Sequence, residues 1–175
     1  MPTVLALDIS THTGAAWDGP SGAPLLATWD APHVFDPDDF GTRYTAFRNW
    51  LVPLVGIVKP NILVFEAPIP DRGNNVKRNA RTARLLLGLA AHAEEIGNAD
   101  PNVEEVIEKN VHTIKLYWTG ASRADKAAMI ARCRQVGWLP KTDHEADAAA
   151  LWSLVKSETD PKFNFRPPIL GGAVR

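Results

Sequence analysis

Twice in this chain an apolar run too short for a helix ends in a carboxylate, first as Val4-Leu5-Ala6-Leu7-Asp8 and again as Ile62-Leu63-Val64-Phe65-Glu66. Such a run reads as a central strand covered on both faces. A carboxylate at the end of a buried strand needs a cation, hydrogen-bond donors or a proton, because leaving it unpaired costs several kcal/mol or more. Asp8 alone has a second reading, as a turn or N-cap residue closing the strand into Thr11-His12-Thr13-Gly14. Between the two runs Phe40, Tyr44, Phe47, Trp50, Leu51, Leu54, Val55 and Val58 recur at helical spacing, and Pro60 ends that helix. A helix joining two buried strands makes a right-handed crossover, so the strands lie parallel with their C-terminal ends on one sheet edge. Asp8 and Glu66 are then expected to converge there as a metal or acid/base site.

The other elements follow from local pattern. Ala15-Ala16-Trp17 and Leu25-Leu26-Ala27-Thr28-Trp29 are short strands around the turn signal Asp18-Gly19-Pro20-Ser21-Gly22, giving three sequential strands at one edge. A further strand is expected over Val103 to Ile107, followed by a short segment from Val111 to Trp118. Ser122 and Asp125 make a capping box that predicts a helix from Arg123 to Val136. Thr142 and Glu145 make a second box opening the last helix, whose buried face is marked by Leu151 and Val155. Stepping back from Leu151 at helical spacing reaches Ala148, Asp147 and His144, which sit one turn apart on the core side. Singly, Asp147 complements the helix dipole and His144 is a surface imidazole. As a pair beside two converging acids they read as metal ligands.

With 175 residues and 45% hydrophobic content the chain can bury a full core, and it reads as one domain over residues 1–156 with a Pro/Gly-rich tail over 157–175. No apolar run approaches the roughly 18 residues of a membrane span, which predicts a soluble, cytoplasmic protein. Cys133 is the only cysteine, so there is no disulfide framework, and its register with Met129, Ile130 and Val136 makes it a buried small hydrophobe. A net charge of −1 argues against an indiscriminate polyanion binder. The distribution of charge is more informative. Arg72, Lys77, Arg78, Arg81 and Arg84 follow Glu66 with no acid among them, either as a solvated helix face or as a phosphate contact. Lys115, Arg123 and Lys126 form a second basic patch around a helix start. Tyr117 and Trp118 are candidates for base stacking or for packing.

Asp8 and Glu66 ending two strands, Thr119-Gly120-Ala121-Ser122-Arg123-Ala124-Asp125-Lys126 opening one helix and His144-Glu145-Ala146-Asp147-Ala148 opening the last together resemble the RuvC-type Holliday junction resolvases of the RNase H-like superfamily, phage-type members included. The likeness runs from Thr3 to about Lys156. It implies an α/β fold with a mixed five-stranded sheet flanked by helices, a homodimer, and Mg²⁺-dependent cleavage of two symmetric strands in a four-way DNA junction, in a bacterial cell or phage-infected host. By position it makes Asp8, Glu66 and Asp147 acidic metal ligands and gives His144 the remaining catalytic place, where the family has Asp or His. Lys115 and Lys126 sit where the family has basic residues facing the scissile phosphate. Oxygen ligands suit Mg²⁺ or Mn²⁺, with two ions about 4 Å apart, and an imidazole raises tolerance for Mn²⁺. The loop Ala67-Pro68-Ile69-Pro70-Asp71-Arg72-Gly73 departs from the family in having no aromatic to wedge the junction open, Ile69 being the nearest apolar residue. The tail after Lys156 has no counterpart.

Two other functions fit parts of the chain. Leu7-Asp8-Ile9-Ser10-Thr11-His12-Thr13-Gly14 also resembles the phosphate loop of sugar-kinase and actin-like phosphotransferases, which need two such domains to enclose ATP. A branched-DNA binding module that keeps the fold without cutting is the other alternative.

Overall fold

The computed structural model describes residues 1–68 and 76–163, and of residues 76–79 the backbone alone. Five strands, β1 (Val4–Asp8), β2 (His12–Asp18), β3 (Pro24–Asp30), β4 (Ile62–Glu66) and β5 (Glu105–Lys109), form one sheet in the order β3-β2-β1-β4-β5. The first three strands run antiparallel to one another as a meander, while β1, β4 and β5 are parallel. α1 (Phe40–Val58) makes the crossover from the meander to β4, and α2 (Val76–Ala99) the crossover from β4 to β5. α3 (Val111–Thr119), α4 (Lys126–Gln135) and α5 (Asp143–Thr159) follow.

Strand alternation decides what each face of the sheet covers. Val4, Ala6, Ile62 and Val64 join the core built with α3, α4 and α5, including Trp118, Met129, Cys133, Leu151 and Trp152. Leu5, Leu7, Leu63 and Phe65 point the other way and join Phe47, Leu51, Val55, Leu85 and Leu89 of α1 and α2. Both central strands are thus buried on both sides, as the apolar runs require.

Three boundaries differ from those expected. The segment from His12 to Gly14 is the start of β2, not a turn, because its backbone pairs with Asp30, Trp29 and Thr28 of β3. The helix after Gly120 begins at Lys126, since Asp125 is its N-cap and accepts from the Ala128 amide at 2.8 Å. Ser122 therefore caps nothing there. β5 lies two residues later than the expected strand, set by the register Ile62 to Glu105, and the segment after it is the helix α3, capped by the Asn110 side chain. α5 runs to Thr159, and Phe163 meets the Trp152 ring at 5.4 Å. Cys133 is fully buried, and burial pushes its thiol up to about 12. Trp118 stacks on Trp138 and the Tyr117 hydroxyl bonds Ser153, so both rings serve packing.

Candidate active site

The parity that sorts the core also aims the two strand-end acids. Asp8 continues the series Val4, Ala6, and Glu66 continues Ile62, Val64, so both face the α5 side of the sheet. The parallel register of Leu7 with Phe65 puts them on adjacent strands at one edge. α5 supplies the other wall. His144 Nδ1 lies 2.7 Å from Asp8 Oδ2, and Asp147, one turn on, has a buried Oδ1 with no hydrogen-bond partner.

The start of α5 reaches the sheet because position 14 is glycine. A Cβ there would stand 2.0 Å from the His144 carbonyl oxygen and 2.9 Å from the Glu145 nitrogen. Any side chain on β2 at this point would hold the helix off the sheet. Glu145 fixes the same helix turn. Its amide donates to Thr142 Oγ1 at 3.1 Å, while its carboxylate accepts from the Lys141 amide at 2.6 Å and from Thr28 Oγ1 at 3.2 Å. The reciprocal capping bond is thus made one residue earlier than a standard box.

Burial and crowding leave the acids short of positive charge. Glu66 is pushed up to about 8, mainly by burial and then by the negative charges of Asp8 and Asp147, with Lys115 and His144 opposing. Asp147 is raised to about 7 by burial and Asp8, with Lys115 opposing. The hydrogen bond to Asp8 raises His144 above its ordinary value. Three carboxylates that repel in this way, with an imidazole beside them, fit a divalent cation, which would neutralise the acids and take up the orphaned Asp147 oxygen. As the side chains stand, with Asp8 and His144 bonded to each other, no group of three or more His, Cys, Asp or Glu among the described residues is arranged around an ion position.

The basic residues fall into three groups. Lys115 donates to the Ala124 carbonyl at 3.0 Å and acts electrostatically on Glu66 and Asp147. Lys126 pairs with Asp143, which holds the ammonium above its ordinary value while Lys126 holds that carboxyl below its own. Arg123 is exposed beside them. On α2, Arg81 forms a forked pair with Asp38 at 2.7 and 2.9 Å and Arg84 lies over the Phe40 ring at 4.5 Å, so acids absent from the local sequence are present in space. Arg72 and Ile69 lie outside the described residues, as do the side chains of Lys77 and Arg78. Sequence reasoning missed Gly14 and Asp143. The first lies in a stretch for which a turn is one of two readings, and the second carries the signal of an acid beside His144.

The supposed phosphate loop of a phosphotransferase is closed on itself. Thr13 Oγ1 accepts from the Ser10 amide at 3.2 Å and donates to the Ser10 carbonyl, while Ser10 Oγ accepts from the His12 amide at 3.0 Å. Those amides are unavailable to cradle a phosphate.

No family model matches the sequence, and no curated protein is significantly similar to it. Solved structures are similar in shape. Thermus thermophilus RuvC superposes with a TM-score of 0.58 at 18% identity, covering 89% of this chain and 95% of that one. T. thermophilus RuvC in complex with Holliday junction substrate gives 0.62 at 19% identity over 86% and 90% of the two chains. The yeast mitochondrial Holliday junction resolvase Ydc2 gives 0.53 at 10% identity over 85% and 76%. Strand order, crossovers and these superpositions together establish that the chain has the fold of the RuvC-type Holliday junction resolvases.

Proposed function

We propose that this chain is a divalent-cation-dependent endodeoxyribonuclease that resolves four-way DNA junctions, or related branched DNA, by symmetric phosphodiester hydrolysis leaving 5′-phosphate and 3′-hydroxyl ends. The observation that carries the reading is the convergence of Asp8, Glu66, His144 and Asp147 on one sheet edge, with an Asp147 oxygen buried and unpartnered. The fold shared with RuvC, one of whose structures holds a Holliday junction, supports the substrate class.

Asp8, Glu66 and Asp147 are hard oxygen donors that would hold two Mg²⁺ or Mn²⁺ ions, and His144 is the softer donor that favours Mn²⁺. Bound there, the cations supply charge neutralisation at the scissile phosphate and make a water nucleophilic at neutral pH. The protein's own groups orient the rest. Asp8 holds the His144 ring through Nδ1, and Gly14 lets the first turn of α5 close on the strands. Lys115 offsets the charge of Glu66 and Asp147 and faces the phosphate, while Asp143 steers the exposed Lys126 ammonium toward the backbone. Arg123 and the basic run of the sequence, Arg72, Lys77, Arg78, Arg81 and Arg84, would supply further phosphate contacts. Two symmetric nicks need two sites, so the active species is a homodimer, with the helix from Leu85 to Ala93, carrying the exposed Leu87, as part of its surface.

Asp8→Asn removes a ligand and a negative charge together. Cleavage of a labelled four-way junction in Mg²⁺ or Mn²⁺ should disappear, while junction binding in a gel-shift assay stays equal or tightens. Retained cleavage by this variant rules out the assignment. The bond between Asp8 and His144, which occupies two of the four ligands, favours a second reading as a branched-DNA binding module without cutting. Metal-independent binding with no nicking by the wild-type protein would select it.

A further inference from the structure

The most exposed large apolar side chain described is Phe35, with relative exposure of 102%, in the segment joining β3 to α1. That segment leaves the sheet at the edge that carries the acids. Asp30, the last residue of β3, lies 2.6 Å from His12 Nδ1, the His12 ring stacks on His144 at 5.9 Å, and His144 holds Asp8. Both ends of the segment are tied down. The Ala31 amide donates to the Thr11 carbonyl at 2.8 Å, and at the far end Asp38 takes the fork of Arg81, fastening the segment to α2. The segment that carries Phe35 thus runs from the rim of the site to α2, and the His33 ring meets Phe35 edge-on at 5.8 Å.

Three acids follow in this stretch, and each has a partner. Asp36 accepts from the Asp38 amide, Asp38 pairs with Arg81, and Asp39 caps α1 through Thr42. With its acids engaged, the segment still turns a wholly exposed aromatic ring to solvent. A phosphate has no use for a neutral ring, whereas a nucleobase does, since stacking on an aromatic side chain is worth binding energy with any base. In intact duplex the bases already stack on one another, so the ring selects bases that are unpaired or splayed apart.

We propose that Phe35, braced by His33, stacks on an unpaired or splayed base at the branch point of the DNA held in the site, and so contributes selectivity for branched over linear DNA. This rests on the nuclease reading above and adds a base contact to it. The contact comes from the segment between β3 and α1, not from the loop after Glu66, which carries no aromatic residue.

The test uses the full chain as wild type, Phe35→Ala and Phe35→Trp, with a four-way junction and a linear duplex of the same sequence, binding being measured with chelator present. Phe35→Ala should weaken junction binding roughly 5- to 100-fold, the range expected for one lost stack. Duplex binding should not change, and Phe35→Trp should bind the junction as wild type does. A 5-iodouracil at the branch point should photocrosslink to residue 35 in the wild type. Equal junction binding by wild type and Phe35→Ala, with crosslinks elsewhere, overturns the inference while leaving cleavage and the nuclease reading intact. A wild-type protein that neither prefers nor cuts the junction overturns both.

Discussion

Gly14→Ala adds one methyl group outside any ligand, and the account predicts that it disables the site. The new Cβ would lie 2.0 Å from the His144 carbonyl oxygen and 2.3 Å from its carbon, whereas ordinary contact begins at 3.4 Å. Backbone stands on both sides of the clash, so no side chain can swing away, and the first turn of α5 must retreat by about 1.4 Å relative to β2. Forcing a methyl into a packed interior costs about 1–3 kcal/mol, which for a chain of this size lowers Tm by roughly 3–10 °C. Function should suffer more than stability, because His144 sits in the turn that is displaced and its 2.7 Å bond to Asp8 cannot be kept. A misplacement of about 1 Å in a catalytic constellation costs on the order of 100-fold in rate. The assay is single-turnover cleavage of a four-way junction with melting followed by circular dichroism. Gly56→Ala serves as control, since its Cβ would meet nothing within 4 Å on the exposed face of α1, and it should cut normally and gain about 0.5–1 kcal/mol. A folded Gly14→Ala protein that cuts within twofold of wild type would refute the claim that this close approach sets the site.

Three further predictions follow from the same geometry. Glu66 and Asp147 are raised on folding from 4.5 to about 8 and from 3.8 to about 7, so the ion-free protein binds more protons than the unfolded chain in those windows. Its stability should therefore fall as pH rises from about 4 to 8, by on the order of 4 kcal/mol for Glu66 alone. His144 has the same sign, its contribution being complete below its ordinary 6.5 and lost as pH rises through its raised folded value. Thermal melts with chelator should show this decline, Glu66→Gln should flatten it, and a decline that persists unchanged in both Glu66→Gln and Asp147→Asn contradicts the assignment. Adding Mn²⁺ should raise Tm more at pH 8 than at pH 5, where protons already neutralise the cluster. Glu145→Ala should cost about 1–3 kcal/mol by stripping the Lys141 amide and Thr28 hydroxyl of their acceptor, and should slow cleavage as α5 loosens. Unchanged melting by that variant would remove Glu145 from its positioning role.

Sequence pattern made the sheet legible because the strongest signals were also the ones the fold depends on. Leu5, Leu7, Leu63 and Phe65 had to be covered, and the repeated carboxylate at the strand ends brought Asp8 beside Glu66 without knowledge of any contact. The pairing of His144 with Asp147 was legible from helical spacing alone. Residues whose role depends on chain segments far apart were not. Gly14 looked like turn punctuation because the helix backbone it admits begins about 130 residues later in the sequence, and no local pattern records that approach. Arg81 looked unpaired because Asp38 precedes it by a whole helix and strand. Ser122 and Asp125 match a capping box by spacing, yet the helix starts only after Asp125, whose side chain accepts from the Ala128 amide. Phe35 belongs to no periodic pattern that would mark it, since its exposure shows only in three dimensions.

The most direct test of the central claim is to map nicks in a labelled four-way junction, a replication fork, a flap and a linear duplex, each with Mg²⁺, Mn²⁺ or chelator. The account predicts paired nicks at symmetric positions of the junction, with 5′-phosphate ends, in either metal and none in chelator. Binding of the junction with no cleavage of any substrate in either metal would contradict it, and would leave the fold without the chemistry.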